Sequence, residues 1–280
     1  KRKDDLRGGR QKRDDAHAEV RIVGSPRRAV GGARLTRMTG PAVVRVEGVR
    51  KRFGAVEVVA DLSFEIRSGE VLGFLGPNGA GKTTMMRMLL DIIRPDAGRI
   101  EVFGGPPGIA HQQRVGYLPE ERGLYRDVTA LDTLTYFGAL KGMPAAEARR
   151  RAEQLLREVG LGESLAKKAA ELSRGMHQKV QVIATILHGP DLLILDEPFS
   201  GLDPLGVAAM EQVLRDQAAA GRTIIFSSHQ LDLVEDLCED VVIIDRGRVV
   251  LAGELAELRA AVPQRFVDVR YRGQPPDWSA

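Results

Sequence analysis

The feature that most constrains this chain is a glycine-rich segment between a strand-like run and a helix-like run. Residues 71–75 (VLGFL) are continuously apolar, which is typical of a strand buried on both faces. They lead into a segment that satisfies the pattern G-x-x-x-x-G-K-[ST], namely Gly76, Pro77, Asn78, Gly79, Ala80, Gly81, Lys82, Thr83 and Thr84. Glycines let such a loop turn its backbone N–H groups onto a polyphosphate, and the helix that follows adds its positive end.

We therefore predict a phosphate-binding loop. Lys82 is expected to contact the β- and γ-phosphates, and Thr83 to offer its hydroxyl to Mg²⁺. The alternative is a glycine-rich turn without a ligand. The strand before the loop and the helix after it favour the phosphate site.

Two carboxylates follow a second apolar run. Residues 192–195 (LLIL) read as a buried strand that ends at Asp196 and Glu197. Ligands of open α/β sheets gather at the C-terminal ends of strands, so Asp196 is placed to hold Mg²⁺ and Glu197 to polarise a water that attacks a phosphate. Two adjacent acids can also be an ordinary strand end. The phosphate-binding loop in the same chain favours the catalytic interpretation.

The order of elements predicts an α/β fold with a helical insertion. Residues 43–66 alternate like a small antiparallel sheet, with Val44, Val46 and Gly48 on one face. Residues 120–168 are helical in pattern, most clearly at 145–159. From residue 192 strands and helices alternate, with helices at 205–219 and 231–237, which indicates a mostly parallel sheet covered by helices.

Charge divides the chain into unequal parts. Residues 1–37 hold 12 of the 41 basic and 5 of the 38 acidic residues, which leaves 29 basic against 33 acidic in the remainder. We expect this basic segment to be a disordered extension, because it has almost no apolar periodicity, and we expect the natural chain to begin at Met38. The main domain is predicted at 38–253, with its helical subdomain at about 120–185. Residues 254–280 are expected to be part of a C-terminal subdomain that the chain does not complete.

Hydropathy and cysteine content restrict the cellular setting. No apolar run approaches the roughly 18 residues that cross a bilayer, so any membrane role is expected to come through a partner. The single cysteine, Cys238, cannot form an internal disulfide and is expected to be a small buried hydrophobe in a reducing cytoplasm.

Four further motifs, in order, resemble those of the ATP-binding cassette (ABC) family. Residues 172–176 (LSRGM) resemble its signature motif LSGGQ, and residues 200–203 (SGLD) resemble its D-loop. His229 resembles the switch histidine and Phe53 the aromatic that stacks on adenine. With the loop and the two acids, the resemblance covers about residues 43–250. It implies a P-loop NTPase core that binds ATP and Mg²⁺, with an N-terminal antiparallel β-subdomain.

The resemblance also implies roles for single residues. Two such domains, identical or different, would pair head to tail, so that Ser173 and Gly175 of one cap the ATP held by the phosphate loop of the other. Glu197 would be the general base, His229 would contact the γ-phosphate, and Asp203 would communicate between the two sites. Alternatives stay open for single residues. Phe53 can be a core aromatic, His229 a structural histidine, and Ser173 a helix N-cap as well as a phosphate contact.

Two departures from the family pattern stand out. Glu120 occupies the position of the Q-loop glutamine, where it can bind Mg²⁺ but adds negative charge beside the phosphates. Arg174 and Met176 replace a glycine and a glutamine of the signature. Arg174 would pair with phosphate or with a neighbour's Glu120, or it is a solvated surface arginine. These departures, with residues 120–125 (EERGLY), resemble bacterial exporters that include drug and sodium-extrusion systems.

The resemblance implies an ATP-hydrolysing subunit on the cytoplasmic face of a membrane, driving a separate permease in export. The helical block would form a groove for a permease helix near Arg122 and Tyr125, unless that face is simply solvated. One alternative is an ABC ATPase that remodels nucleic acid or ribosomes, although no nucleic acid partner is expected because the body carries excess acid. Another is a nucleotide-binding regulator without turnover, against which Glu197 argues.

Overall fold

The structure is a computed structural model that describes residues 40–121, 123–230 and 234–261, and the backbone of Glu19–Val23 and Phe266–Arg270. The chain divides into two units. The smaller unit, Lys1–Arg28 with Arg259–Ala280, contains strands β1 (Glu19–Val23) and β11 (Phe266–Arg270). These two strands pair antiparallel, with Val20 opposite Val269 and Ile22 opposite Val267.

The larger unit, Ala29–Leu258, begins with a three-stranded antiparallel sheet. Its strands are β2 (Ala42–Phe53), β3 (Val56–Arg67) and β5 (Ala97–Val102), in the order β3-β2-β5. Alternation in β2 buries Val44 and Val46 and leaves Arg45 exposed, as the period of a strand with one buried face requires. The buried face contributes to a core shared with the central sheet.

The central sheet has six strands in the order β10-β9-β4-β8-β7-β6. All pairs are parallel except β9 with β10, and the strands are β4 (Val71–Leu75), β6 (Val115–Leu118), β7 (Leu192–Leu195), β8 (Thr223–Ser228), β9 (Asp240–Asp245) and β10 (Arg248–Glu254). Every residue of β7 and β8 is buried, as expected for strands built around the apolar runs LLIL and IIF and covered on both faces.

Helices cover both faces of this sheet. Helix α1 (Lys82–Leu89) packs Met85 and Met86 into the core that also contains the buried side of the antiparallel sheet. Helix α5 (Pro204–Ala219) packs Met210 and Leu214 against the opposite face. The parallel strands therefore deliver their C-terminal ends to an edge where the loops before α1 and α5 begin.

A helical block lies between β6 and β7 in the sequence. Helices α2 (Ala130–Leu140), α3 (Ala145–Glu158) and α4 (Arg174–Ile186) enclose a separate core that includes Leu134, Leu156 and Ile183. Short 3₁₀ helices occur at Ile109–Arg114, Gly162–Ser164 and Ala169–Glu171. Helix α6 (Leu255–Ala260) follows β10.

The predicted fold class is confirmed: a mostly parallel sheet, an antiparallel subdomain and inserted helices are all present. Within the predicted disordered segment 1–37, residues Glu19–Val23 instead form β1, because they pair with β11 along their length. The remainder of that segment, Met38, residues 231–233 of a predicted helix and residues 271–280 lie outside the described residues. Among the described residues, no helix is both long and apolar enough to cross a bilayer.

Candidate functional site

The predicted phosphate-binding loop joins β4 to α1 at the C-terminal edge of the central sheet. Gly81 has φ +106°, and a Cβ there would lie 2.8 Å from the Val58 carbonyl oxygen, so only glycine fits without strain. This contact packs the loop against β3. Helix α1 then begins at Lys82 with no side-chain cap and no acid in its first turn, so its first N–H groups are available to an anion.

Lys82 is buried at the centre of the loop. Its Nζ donates to the Gly76 carbonyl oxygen at 2.7 Å and lies 3.1 Å from Oε1 of Glu197, an ion pair without hydrogen-bond geometry. The side chain is only 6% exposed. An ammonium group held in this way is compensated by the carboxylate across the loop, which offsets much of the cost of burying either charge.

Glu197 is buried and holds an unusual backbone conformation. Its φ is +48°, a region that costs energy for residues other than glycine and that clusters at functional sites. Its carboxylate also accepts a hydrogen bond at Oε2 from Nδ1 of His229, at 3.0 Å. The His229 side chain is 43% exposed, so the histidine contacts both this acid and the surface. The structure thus brings together the three residues that were predicted to be catalytic.

Ser227 links Asp196 and Glu197, the two acidic residues that follow β7. Its hydroxyl accepts from the Glu197 backbone N–H at 2.8 Å and donates to Oδ1 of Asp196 at 2.7 Å. The sheet register produces this arrangement, because Leu195 of β7 pairs with Phe226 of β8 and the next residue of each strand meets its counterpart. Ser227 was not singled out in the sequence analysis. A small hydroxyl residue after an apolar strand was the available signal.

Asp196 offers the feature expected of a cation ligand. It is 1% exposed, and its Oδ2 is buried without a hydrogen-bond partner. A buried carboxylate oxygen without a donor is costly unless something positive occupies the space beside it. Thr83, the second residue of α1, is half-buried. No group of three His, Cys, Asp or Glu converges in the described part of the chain, so Mg²⁺ here would need phosphate oxygens as further ligands.

Glu120 and Tyr117 lie at the end of the neighbouring strand β6. Glu120 is exposed, two residues past the strand. Burial raises the pKa of the Tyr117 hydroxyl, and the Asp196 carboxylate raises it further, with Glu120 a smaller cause. The tyrosine therefore lies close to both acids. Tyr117 was not singled out in the sequence analysis, since an aromatic within an apolar strand gives no signal of its own.

The predicted signature and D-loop each present polar residues at the start of a helix. Ser173 accepts a hydrogen bond from the Met176 N–H and so caps α4, while Asp203 accepts from the Gly206 N–H and caps α5. Ser173, Arg174 and Gly175 are exposed. In the described chain no hydrogen bond joins these caps to the phosphate-binding loop. The N-cap role that was left open for Ser173 is thus present.

Phe53 is the last residue of β2, which pairs with β3, the strand that packs against the phosphate-binding loop. Its side chain is 47% exposed, and the Lys51 ammonium lies 5.5 Å from its ring centroid. It pairs with Val56 of β3, the strand whose Val58 packs against the loop. The alternative of a core aromatic does not agree with this exposure. An aromatic face remains available for stacking.

Comparison with known proteins supports the motif assignment. The family model described as ABC transporter matches residues 59–200. The Nod factor export ATP-binding protein I of Ralstonia nicotianae is 41% identical over 219 residues, covering 77% of this chain and 68% of that protein. The linearmycin resistance ATP-binding protein LnrL of Bacillus subtilis is 35% identical over 219 residues, covering 77% of this chain and 70% of that protein.

Solved structures agree with these relatives. An ATP-binding subunit of an ABC transporter superimposes with a TM-score of 0.71 at 34% identity, covering 78% of this chain and 92% of that one. Both the fold and the sequence are therefore shared over the larger unit. The chain belongs to the ABC transporter family as an ATP-binding subunit, and this family hydrolyses ATP.

Proposed function

We propose that this chain hydrolyses ATP at a site built on Lys82, Glu197 and His229 and couples that reaction to a membrane permease. The observation that supports it most strongly is the convergence of the Lys82 ammonium and the His229 ring on one buried carboxylate, that of Glu197. With ATP bound, Lys82 turns from Glu197 to the phosphates. Glu197 is then free to accept a proton from the attacking water, and His229 holds the γ-phosphate.

The residues that would hold Mg²⁺ are Asp196 and Thr83, assisted by Glu120. Asp196 has a buried carboxylate oxygen without a partner, which is the position a cation would satisfy. Mg²⁺ in such a site would neutralise phosphate charge during transfer. Residues 76–84 would cradle the phosphates, and Phe53 would stack on adenine.

The exposed faces of the signature and D-loop support a head-to-tail dimer. Ser173 and Gly175 lie on the surface at the start of α4, and a Cβ on Gly175 would meet no atom within 4 Å. This open helix start suits the phosphate of an ATP bound to a second chain. Asp203, at the start of α5, would then lie at the same interface.

Replacing Glu197 tests the chemistry. Glu197→Gln should lower ATP turnover by about 10² or more while ATP binding persists, because the amide cannot take a proton from water. The trapped state should elute as a dimer with ATP and Mg²⁺ in size-exclusion chromatography. Glu70→Gln is the matched control, since Glu70 is also a buried glutamate but precedes β4 at the opposite edge of the sheet. Wild-type turnover in Glu197→Gln would exclude the assigned base.

Glu120 provides a separate test of the metal. Glu120→Gln removes a negative charge beside the phosphates and a hard oxygen ligand for Mg²⁺, so half-maximal hydrolysis should require more Mg²⁺ by about fivefold. Glu121→Gln, the adjacent exposed acid, serves as the control. An unchanged Mg²⁺ titration in Glu120→Gln would contradict a ligand role for this residue.

An exposed aromatic cluster supports permease docking on the helical block. Tyr125 and Tyr136 have ring centroids 6.3 Å apart, and both contact Phe137. Their exposed fractions are 55% and 49%, large for side chains that gain from burial. We infer that a cytoplasmic helix of the permease covers them. Arg122, predicted at the same contact, lies outside the described residues. Export is favoured by the export and resistance proteins that resemble this chain.

The docking surface can be tested by co-expressing this chain with a candidate permease. Tyr125→Ala with Tyr136→Ala should keep basal ATP hydrolysis within about twofold but lose co-purification with that protein and its stimulation of turnover. Ile92→Ala, an exposed apolar residue away from the helical block, is the control. Full stimulation in the tyrosine variant would exclude this surface.

A further inference from the structure

Arg174 connects the signature at the start of α4 to the loop between β7 and α5, which carries the D-loop. It is the first residue of α4, directly after Ser173. Its guanidinium lies against Gly201, in the loop between β7 and α5. A Cβ on Gly201 would lie 2.9 Å from the arginine Cζ and would collide with the terminal nitrogen Nη2. Gly201 also has φ +69°, so the position requires glycine for both its conformation and this contact.

Gln178 makes a second contact with the same loop. It lies one turn after Arg174 on α4, and residues four apart share a helix face. Its Nε2 donates to the Pro198 carbonyl oxygen at 3.2 Å, and the side chain is only 5% exposed. The first two turns of α4 therefore contact the loop after β7 at both ends, with Gln178 near its start and Arg174 near its end.

Arg174 makes this contact without an ion pair. Within the described residues its side chain has neither a carboxylate within salt-bridge distance nor a hydrogen-bond acceptor, and the residue is exposed. The guanidinium approaches Gly201 with its terminal nitrogen first, at the place that a Cβ would occupy, and a lysine ammonium on its flexible stem lacks this rigid planar fork. The contact is therefore one of shape, and the shape belongs to arginine.

The braced loop contains the residues proposed for catalysis and for communication. It begins at Glu197, and its first turn is closed by the Ser200 N–H on the Glu197 carbonyl oxygen at 3.0 Å. A second turn places the Leu202 N–H 3.3 Å from the Phe199 carbonyl oxygen, and Asp203 then caps α5. Movement at the start of α4 would reach Glu197 through these two turns.

We propose that Arg174 is a positioning residue that locks the signature loop to the loop after β7, so that both move as one body when two chains close on ATP. The proposal rests on the proposed function, in which Ser173 and Gly175 bind the partner's nucleotide. Closure on the partner's phosphate then fixes the chain's own Glu197 and Asp203. Arg174 acts through packing and not as a phosphate ligand.

Amide hydrogen exchange on the nucleotide-free full chain tests the brace independently of activity. Arg174→Ala should accelerate exchange at the amides of Ser200 and Leu202 by about tenfold and leave the interior of α5 unchanged. Arg150→Ala, an exposed arginine on α3, is the matched control. Unchanged exchange in Arg174→Ala would overturn the proposal even if the chain hydrolyses ATP. Because exchange is measured without nucleotide, the test is also valid if the chain does not hydrolyse ATP.

Kinetics separate packing from charge. Arg174→Ala should lower kcat by about tenfold and change the KM for ATP by less than about twofold, since the brace acts after binding. Arg174→Lys should behave like Arg174→Ala, because it keeps the charge and loses the plane. Restoration of kcat by lysine, or a KM increase in both variants, would mean that residue 174 is a phosphate contact and would refute the brace.

Gly201→Ala supplies the reciprocal change. In the wild-type background the new Cβ displaces the guanidinium and also strains the loop at positive φ. In Arg174→Ala only the strain remains. The exchange effects of the two substitutions should therefore be less than additive, by severalfold at Ser200. Fully additive effects would show that the two residues do not interact.

Discussion

Carboxylates are buried at both ends of the strands of the central sheet, but the charged groups next to them differ between the two ends. At the C-terminal edge, Glu197 faces the Lys82 ammonium and Asp196 accepts from the Ser227 hydroxyl. At the N-terminal edge, Glu70 precedes β4 and Asp240 begins β9, and each has acids among the groups that act on it. Burial is similar for Glu70 and Glu197, at 5% and 7% exposed, so it cannot explain the difference.

The groups next to each carboxylate explain the difference between Glu70 and Glu197. One oxygen of Glu70 accepts from the Arg67 backbone N–H at 2.7 Å, but its Oε1 is buried without a partner. Burial raises the pKa of Glu70 to about 7, and Asp240 adds to the increase. Burial also raises the pKa of Asp240, helped by Glu254 and Glu239. Glu197 thus has a buried ammonium within ion-pair distance, whereas Glu70 has acids nearby and the Arg67 charge has a smaller influence on it than burial.

Removing the Lys82 ammonium takes away the cation that distinguishes the C-terminal ends of the strands from the N-terminal ends. This substitution is expected to have the largest effect. Lys82→Met removes the ammonium that faces the buried Glu197 carboxylate and leaves only the His229 ring beside it, so the chain should lose about 3 kcal/mol of stability at pH 7. ATP turnover should fall by more than about 10², because phosphate charge is no longer neutralised. Urea unfolding and a phosphate-release assay measure the two losses.

Lys141→Met is the control for Lys82→Met. Lys141 is a half-buried lysine whose ammonium donates to the carbonyl oxygens of Gln112 and Val115, with no carboxylate involved. It should lose stability without losing turnover. Equal losses of turnover in both variants would mean that the Lys82 effect is only one of folding.

The raised pKa of Glu70 predicts that the stability of the chain depends on pH. Its folded pKa of about 7 lies above the ordinary value of 4.5, so the folded chain binds a proton that the unfolded chain has released. This contribution to stability is complete below about pH 4.5, declines as pH rises, and is lost above about pH 7. The free energy of unfolding should therefore fall by up to about 3 kcal/mol between pH 5 and pH 8.

Glu70→Gln mimics the protonated acid and should flatten this slope. The variant should match wild type near pH 5 and exceed it at pH 8, as measured by urea unfolding at four pH values. Asp240→Asn should remove a smaller part of the slope, since Asp240 is both a cause of the Glu70 shift and a group with a raised pKa. A wild-type slope that survives in Glu70→Gln would place the titration elsewhere.

The sequence predicts what is local in this molecule. Glycine spacing predicts the phosphate loop, and unbroken apolar runs predict β4 and β7, because backbone geometry and burial act over a few residues. The position of Glu197 after a buried strand follows from the same logic. Its contact with Lys82, more than a hundred positions away, depends on how the strands are ordered in the sheet.

Strand register and side-chain contacts between distant segments could not be predicted from the sequence. Ser227 meets Asp196 because β7 and β8 pair with Leu195 opposite Phe226, and a shift by one residue would place it on the other face. The Arg174 contact with Gly201 depends on where α4 crosses the loop after β7. The raised pKa of Glu70 likewise depends on Asp240, which belongs to a strand distant in sequence.

Ser227→Ala tests this register-dependent part of the site and has the smallest effect of the three. It leaves the Glu197 N–H without its acceptor and Oδ1 of Asp196 without its donor, both buried, so stability should fall by about 2 kcal/mol. Turnover should fall by about tenfold, because Asp196 and the strained Glu197 backbone lose their common support. A phosphate-release assay over a range of Mg²⁺ measures this, and more Mg²⁺ should not restore the rate.

Ser228→Ala separates position from composition. Ser228 is the next residue and equally buried, but its hydroxyl hydrogen-bonds within its own turn, to the backbone of Gln230. It should keep turnover within about threefold, since neither acid depends on it. If both serines cost the same in turnover, support at the end of β8 is general. If only Ser227 matters, one hydroxyl holds Asp196 and the Glu197 backbone in place at the C-terminal ends of the strands.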